Sequence, residues 1–280
     1  MITIPFLGPF LEATGMILEK KVLKNKNLDY KNYTIYEFLS IIIIMSTFIY
    51  FVWDFDGEAL KLNNILIFAF VIIISVLANL FTFYSLKREN LTEFEPVWLM
   101  QPLFTIILAF MFFSAERNWV SFVFALVASL SLVLSHVKRH HLFLDKYIMA
   151  AILGSFFFAL ELVASKPLLS HYSSFTFYFI RCFFILIITY IIYRPNFQKV
   201  GNKNWLLILI TGSCWVFYRA IIYYGYETSG IVFTTTIFIL SPVIMFLFAI
   251  LFLKEKPTLR QIISTIIIIL CVLGSVLIGN

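Results

Sequence analysis

Apolar segments of about 20 residues recur along the whole chain, and they constrain its fold more than any other feature. Charged residues make up only 13% of the chain, whereas a soluble domain carries about 25%. A helix that crosses a bilayer needs about 20 mainly apolar residues. Ten such spans are predicted, at residues 4–23, 33–53, 64–86, 95–114, 119–137, 147–168, 174–193, 204–226, 231–253 and 259–278. We therefore expect an all-α membrane protein with ten transmembrane helices and the lipid bilayer as its surroundings.

The cations between these spans predict how the chain crosses the membrane. Sixteen of the 21 Lys and Arg residues lie at the connections after predicted helices 1, 3, 5, 7 and 9. Three lie at the connections after the even-numbered helices, and Arg181 and Arg219 lie inside helices. The positive-inside rule then puts the loop after helix 1 in the cytoplasm and both termini outside. Because topology accounts for the net charge of +6, no nucleic-acid partner is expected.

Two segments of the chain repeat the same pattern. Gln101–Arg117 reads QPLFTIILAFMFFSAER, and Ser241–Lys256 reads SPVIMFLFAILFLKEK. Each has a polar residue, a proline, an apolar run and a glutamate next to cations. Pro102 and Pro242 lie 140 residues apart, which is half the length of the chain. The chain is therefore predicted to contain two copies of one unit.

The proposed copies are residues 1–140, with helices 1–5, and residues 141–280, with helices 6–10. Five spans per copy is an odd number, so the second copy must enter the membrane in the opposite orientation. Inverted repeats of this kind usually enclose a site between them. The prediction is thus two inverted five-helix repeats around a central cavity, with Pro102 and Pro242 as paired kinks that act either as gate hinges or as static bends.

These features resemble the drug/metabolite transporter superfamily, in its ten-helix branch built from two EamA-type units. The resemblance covers roughly the full length. It rests on the proline and closing glutamate of each half, on Lys20 and Lys166 at the ends of helices 1 and 6, and on Arg181 in helix 7. The chain departs from the pattern at Ala115 and Lys254, where a glycine usually precedes the glutamate. Most relatives are thought to have cytoplasmic termini, opposite to the charge count, so orientation and direction of transport stay open.

A charge at mid-bilayer costs about 2.5–3.5 kcal/mol, so such residues usually face the bundle interior and have a role. The candidates are Glu12, Glu161, Arg181 and Arg219. Glu12 shares one face of helix 1 with Gly8, Gly15 and Glu19. The string E-A-T-G-x-x-x-x-K resembles the first helix of small multidrug resistance proteins, whose membrane-embedded glutamate binds cationic substrate and protons in competition. The alternative is a static ion pair between Glu12 and Arg219 or Arg181. Glu37 lies about one turn into helix 2, within reach of the headgroups.

Helix 8 presents an arginine among aromatic residues. Trp215, Arg219, Tyr223 and Tyr226 lie on one face of this helix. Arg219 can bind a carboxylate substrate or pair with Glu12 or Glu161. The aromatic rings can attract a quaternary ammonium or simply pack. Further cavity candidates are Asn79, Tyr84, Trp98 and Gln101, whereas Lys20 and Lys166 are expected to anchor helix ends at the membrane surface.

The sequence therefore predicts a secondary-active transporter of a small organic solute, such as an amine or cation, an amino acid or a related metabolite. Alternating access is the expected mechanism, coupled to protons through Glu12 or Glu161. No nucleotide-binding motif is present, and we expect no enzymatic activity, cofactor or metal. The alternatives are a membrane-embedded lipid enzyme and a non-transporting scaffold or scramblase. The expected location is the plasma membrane; substrate, coupling ion, direction and oligomeric state stay open.

Overall fold

A computed structural model describes residues 5–24, 28–88, 97–136, 146–195, 201–244 and 259–278 of the chain. Within these ranges it forms ten α-helices of eight or more residues. They are α1 (Gly8–Leu23), α2 (Tyr30–Ser46), α3 (Leu62–Arg88), α4 (Met100–Phe112), α5 (Trp119–His136), α6 (Lys146–Leu169), α7 (Ser174–Tyr193), α8 (Asn202–Thr228), α9 (Ile231–Phe238) and α10 (Leu259–Ile278). By length and composition, α3, α6, α7 and α8 are each able to cross a membrane, and α4, α5, α9 and α10 contain shorter apolar stretches. The predicted all-α, ten-helix class is confirmed.

The two halves of the bundle interlock. α1 packs mainly against α8, and its counterpart α6 packs mainly against α3. Other contacts between the halves join equivalent helices, α2 with α7, α4 with α9 and α5 with α10, and further contacts join α4 with α6 and α2 with α8. Gly154 permits the tight approach of α6 to α3, because a Cβ atom there would lie 3.1 Å from the backbone nitrogen of Thr82. The first helix of each half is therefore held by the other half, and one core runs through both.

In each half the helical hydrogen-bond pattern is interrupted at one residue shortly before the proline, although the backbone of that residue keeps helical angles. Leu99 precedes α4 with φ −65° and ψ −8°, and Ile239 ends α9 with φ −62° and ψ −13°. Pro102 and Pro242 each follow that residue by three positions. A proline has no N–H to donate to the carbonyl four residues before it, so an interruption next to each proline is the expected consequence. In the first turn of a helix an N–H group has no partner within that helix, so a proline there costs little stability. The interruption and the proline therefore occur together in each half.

One face of the bundle is tied together by the connections after α2 and α6. The backbone N–H of Asp56 donates to the carbonyl of His171 at 2.8 Å. The N–H of Ser173 donates to the carbonyl of Asp54 at 3.0 Å. The connection after α2 belongs to the first half and the connection after α6 to the second, so these bonds join the halves at this face.

Glu116, after α4, adds a second tie at the same face. Its carboxylate forms an ion pair with Lys166 and accepts hydrogen bonds from the N–H groups of Ile231 and Val232 at 2.8 and 3.0 Å. Carboxylates at a helix N-terminus are stabilised by its free N–H groups and its dipole. Gly230, with φ +91°, brings the start of α9 close to the carboxylate, because a Cβ atom there would lie 3.1 Å from both oxygens. We refer to the face joined by these two ties as the closed face.

Lys166 was expected only to anchor the end of its helix at the membrane surface. It also forms an ion pair with the largely buried carboxylate of Glu116. Its counterpart Lys20 is also buried, and its ammonium donates to the carbonyl of Leu86 at 2.6 Å. The repeat-related glutamate, Glu255, lies outside the described residues.

Replacing Glu116 by Gln is expected to loosen the closed face, since the ion pair and the charge-assisted hydrogen bonds are lost. A cysteine introduced at the buried Thr235, in a chain without its native cysteines, should react about tenfold faster with a water-soluble thiol reagent. Glu227→Gln, an exposed glutamate at the end of α8, is the matched control. Equal labelling rates in the Glu116→Gln variant and the control would contradict the closure.

Candidate functional site, a charged cavity between the two halves

A buried carboxylate binds two arginines in the middle of the bundle. Glu161 on α6 is 0% exposed. One of its oxygens forms an ion pair with Arg181 of α7 and accepts a hydrogen bond from the Tyr223 hydroxyl at 2.8 Å. The other oxygen lies 3.2 Å from Nη1 of Arg219 on α8. Arg181 also donates to the Tyr223 hydroxyl. We call these four residues the arginine cluster.

The arginine cluster carries one more positive charge than negative charge, because one carboxylate faces two guanidinium groups. Aromatic rings cover part of this excess. The Arg181 guanidinium lies 5.1 Å from the ring centroid of Tyr178, and that of Arg219 lies 5.3 Å from the ring centroid of Phe158. Within the described residues, the Nε atom of Arg181 has no hydrogen-bond partner. The cluster can therefore accept a further anionic group.

A cavity of about 700 Å³, including its mouth, lies beside this cluster, and we call it the main cavity because it contains the buried charged residues. Both halves line it. Arg181 and Arg219 come from the second half, whereas Glu19 and Glu37 come from the first. Glu19 and Leu86 line it close to the ends of α1 and α3, next to the basic connections. The cavity therefore extends toward the end of the bundle opposite the closed face.

A second cavity, of about 480 Å³ including its mouth, adjoins the first, and Glu12 lines it. The two share Trp98 and Gln101 in their walls. Pro102 and Pro242 both line the second cavity, so the prolines of the two repeats meet at one site. The two helix interruptions therefore lie directly against the internal space.

Glu12 is buried, with 8% of its surface exposed. Ser241 and Tyr218 lie within reach of its carboxylate, and Arg219 is its charged neighbour. The salt bridges of both arginines within the described residues go to Glu161. Glu161 therefore forms the ion pairs with Arg181 and Arg219 that were the alternative role for Glu12. Glu12 lines the second cavity instead.

Most of the other predicted site residues come together here. Asn79, Trp98, Gln101 and Trp215 line the main cavity. Tyr84 lies apart, because it packs against Tyr30 and Tyr147 with ring centroids 5.6 and 5.2 Å away, and it lines neither of these two cavities. Tyr84 follows Asn79 by five residues and lies about 140° further round the helix, so it points away from the cavity that Phe83 and Leu86 of the same helix line.

Sequence reasoning missed Glu37 as a cavity residue. It was expected near the headgroups, yet it is 3% exposed and lines the main cavity. The cause is the helix boundary: α2 begins at Tyr30, not at Tyr33, and Asp29 caps it by accepting the Tyr30 N–H at 2.8 Å. Glu37 therefore lies two turns inside the helix. A cap residue such as Asp29 is the signal that locates this start.

Ten helices in two interlocked halves around a charged cavity define a multi-pass membrane protein of the inverted-repeat class. The sequence profile of the EamA-like transporter family matches residues 1–136 and 145–277, so each half matches it once. The chain belongs to this family, and the resemblance drawn from the repeats is confirmed. Members of this family are transporters, which supports a non-enzymatic protein.

A comparison with curated proteins finds no match. Among 28 matching chains of solved structures, one described as "Crystal structure of protein" has a TM-score of 0.76. Its sequence is 16% identical, and the match covers 98% of this chain and 95% of that chain. At this identity the likeness supports the fold alone.

Charge balance in the arginine cluster predicts unequal costs for removing its members. Glu161→Gln leaves two buried guanidinium groups without a counter-charge, whereas Arg181→Met leaves the Glu161–Arg219 pair neutral. Breaking a buried pair typically costs about 3–5 kcal/mol, so Glu161→Gln should lower the melting temperature in detergent more than Arg181→Met does. The opposite order, or a wild-type melting temperature for Glu161→Gln, would contradict this account.

Proposed function

We propose that this protein is a secondary-active transporter that moves a small organic solute by alternating access through the main cavity. The observation that carries the proposal is the arrangement of charges. Buried carboxylates from the first half and arginines from the second line one cavity at the interface of the two repeats. Unpaired charges inside a membrane bundle are costly, and they usually mark substrate or ion pathways.

The contacts at the two ends of the bundle support alternating access. The closed face seals one end, and the cavity extends toward the other. Opening the closed face requires the Glu116 contacts and the hydrogen bonds between Asp54–Asp56 and His171–Ser173 to break. The interruptions at Leu99 and Ile239 lie next to the cavity, where the helices on either side can tilt. In this proposal Leu99 and Ile239 are the hinges. Pro102 and Pro242 maintain the interruptions because a proline cannot donate the missing backbone hydrogen bond.

Coupling to protons is assigned to Glu12. Its carboxylate lies in the second cavity, deeper than the solute site and next to Arg219. When Glu12 takes up a proton, the electrostatic attraction between it and Arg219 falls. Arg219 then becomes more available to an anionic group in the main cavity. Through this shared neighbour, proton binding at Glu12 and solute binding affect each other.

The cavity chemistry fits an amine or an amino acid, and the site of action in this proposal is the plasma membrane. Membrane-embedded lipid enzymes generally show clustered Asp or His residues at a membrane face, and Asp54, Asp56 and Glu58 are the nearest match in the sequence. Their loop is engaged with the turn after α6, and Glu58 pairs with Lys61. Transport is therefore the favoured function.

Glu12→Gln is expected to abolish accumulation of solute driven by a proton gradient, because the variant cannot exchange a proton at this position. Exchange of labelled for unlabelled solute without a gradient should persist. The assay uses purified protein in proteoliposomes and a radiolabelled solute chosen by a thermal-shift screen of amines and amino acids. Glu227→Gln serves as the control. Gradient-driven rates equal to those of the wild type would rule out Glu12 as the coupling residue.

A further inference from the structure

Glu19 and Glu37 place a second charged group in the main cavity, which the predicted site did not include. Glu19 on α1 and Glu37 on α2 are 4% and 3% exposed, and both line the cavity. They are close enough to repel each other electrostatically. Lys20 offsets part of this charge, since it lies near Glu19, although its ammonium is bonded to the carbonyl of Leu86. When both are ionised, the two carboxylates outnumber this one ammonium group.

Polar atoms around this pair lack partners among the described residues. One oxygen of the Glu37 carboxylate, Oε2, has no hydrogen-bond partner. The hydroxyl of Tyr33 lies beside Glu37 and the ring N–H of Trp215 lies beside Glu19, but neither contact reaches the geometry of a well-formed hydrogen bond. Buried polar atoms are nearly always hydrogen-bonded, so a group of unpartnered ones marks a place where ligand or water atoms complete the bonds.

The two ends of the cavity present groups whose ionised forms have opposite charge. The carboxylates belong to α1 and α2, and the guanidinium groups of Arg181 and Arg219 belong to α7 and α8. A solute with a single charge would satisfy one end and leave the other unpaired in a low-dielectric interior. A solute with an ammonium group and an acidic group satisfies both ends.

We propose that Glu19 and Glu37 form the binding subsite for the cationic group of the solute, and that its acidic group binds at Arg181 and Arg219. A primary ammonium has three N–H donors, so it can bridge two carboxylates with charge-assisted hydrogen bonds. The substrate class is then a zwitterion whose charges are far enough apart to reach both ends. This inference rests on the proposed function, because it assumes that the solute enters the main cavity.

Binding to purified protein in nanodiscs tests the subsite directly. The probes are ω-amino carboxylic acids of increasing chain length, each compared with the n-alkylamine and the carboxylic acid of equal length. For the best chain length, the wild type should bind the amino acid at least about tenfold more tightly than either singly charged analogue.

Glu37→Gln should lower the affinity for the amino acid about tenfold and leave that for the plain carboxylic acid unchanged. Glu19→Gln should act in the same direction, and Glu227→Gln should change neither affinity. Glu37→Asp, which keeps the charge, should restore part of the affinity. An unchanged melting temperature in the Gln variants confirms that they are folded.

The proposal is overturned if no probe binds, if the amino acid and its singly charged analogues bind equally, or if Glu37→Gln weakens both classes of acid alike. Flux of the best-bound probe in proteoliposomes separates this result from the proposed function. If the probe is transported and Glu37→Gln has no effect on its flux, the subsite proposal is wrong and the transporter proposal is supported. If the probe binds selectively but no flux is measured, the subsite proposal is supported and the transporter proposal is wrong.

Discussion

The ion pairs of Glu161 with Arg181 and Arg219 determine how α6, α7 and α8 can lie in this bundle. None of these charges can be left facing lipid or an apolar core without a large cost. Glu161 therefore keeps both arginines at the bundle centre, and Tyr223 completes the hydrogen bonds. These contacts position the three helices that enclose the basic side of the cavity.

The fold is symmetric, whereas the chemistry is not. Packing obeys the repeat, since α1 lies on α8 as α6 lies on α3, and both proline segments share the same interruption. The interior charges divide instead between the halves. The first half supplies Glu12, Glu19 and Glu37, and the second supplies the arginine cluster. We therefore assign alternating access to the duplicated helices and solute binding to the charged residues that differ between the halves.

Much of the fold was predictable, because a chain with so few charges must form membrane spans and its apolar segments can be counted. Arg181, Arg219 and Glu161 were found for the same reason, since charges in apolar spans are conspicuous. Their pairing was not predictable, because it depends on which helices are neighbours in space. Glu37 was missed through a helix start misplaced by three residues, and the breaks before Pro102 and Pro242 give no signal other than the prolines. The pairing of Glu161 and the position of Glu37 in the cavity depend on how the helices pack, which the sequence pattern does not show.

Distances between α3 and α8 at both ends of the bundle test alternating access most directly. Spin labels at Leu62 and Ser229 report the closed face, and labels at Arg88 and Lys203 report the opposite end. The native cysteines, Cys182, Cys214 and Cys271, are first replaced by alanine. On addition of a transported solute or a pH step, the account predicts that the distance at the closed face grows while the other shrinks. Two distances that stay fixed, or that change in the same direction, during measurable transport would contradict it.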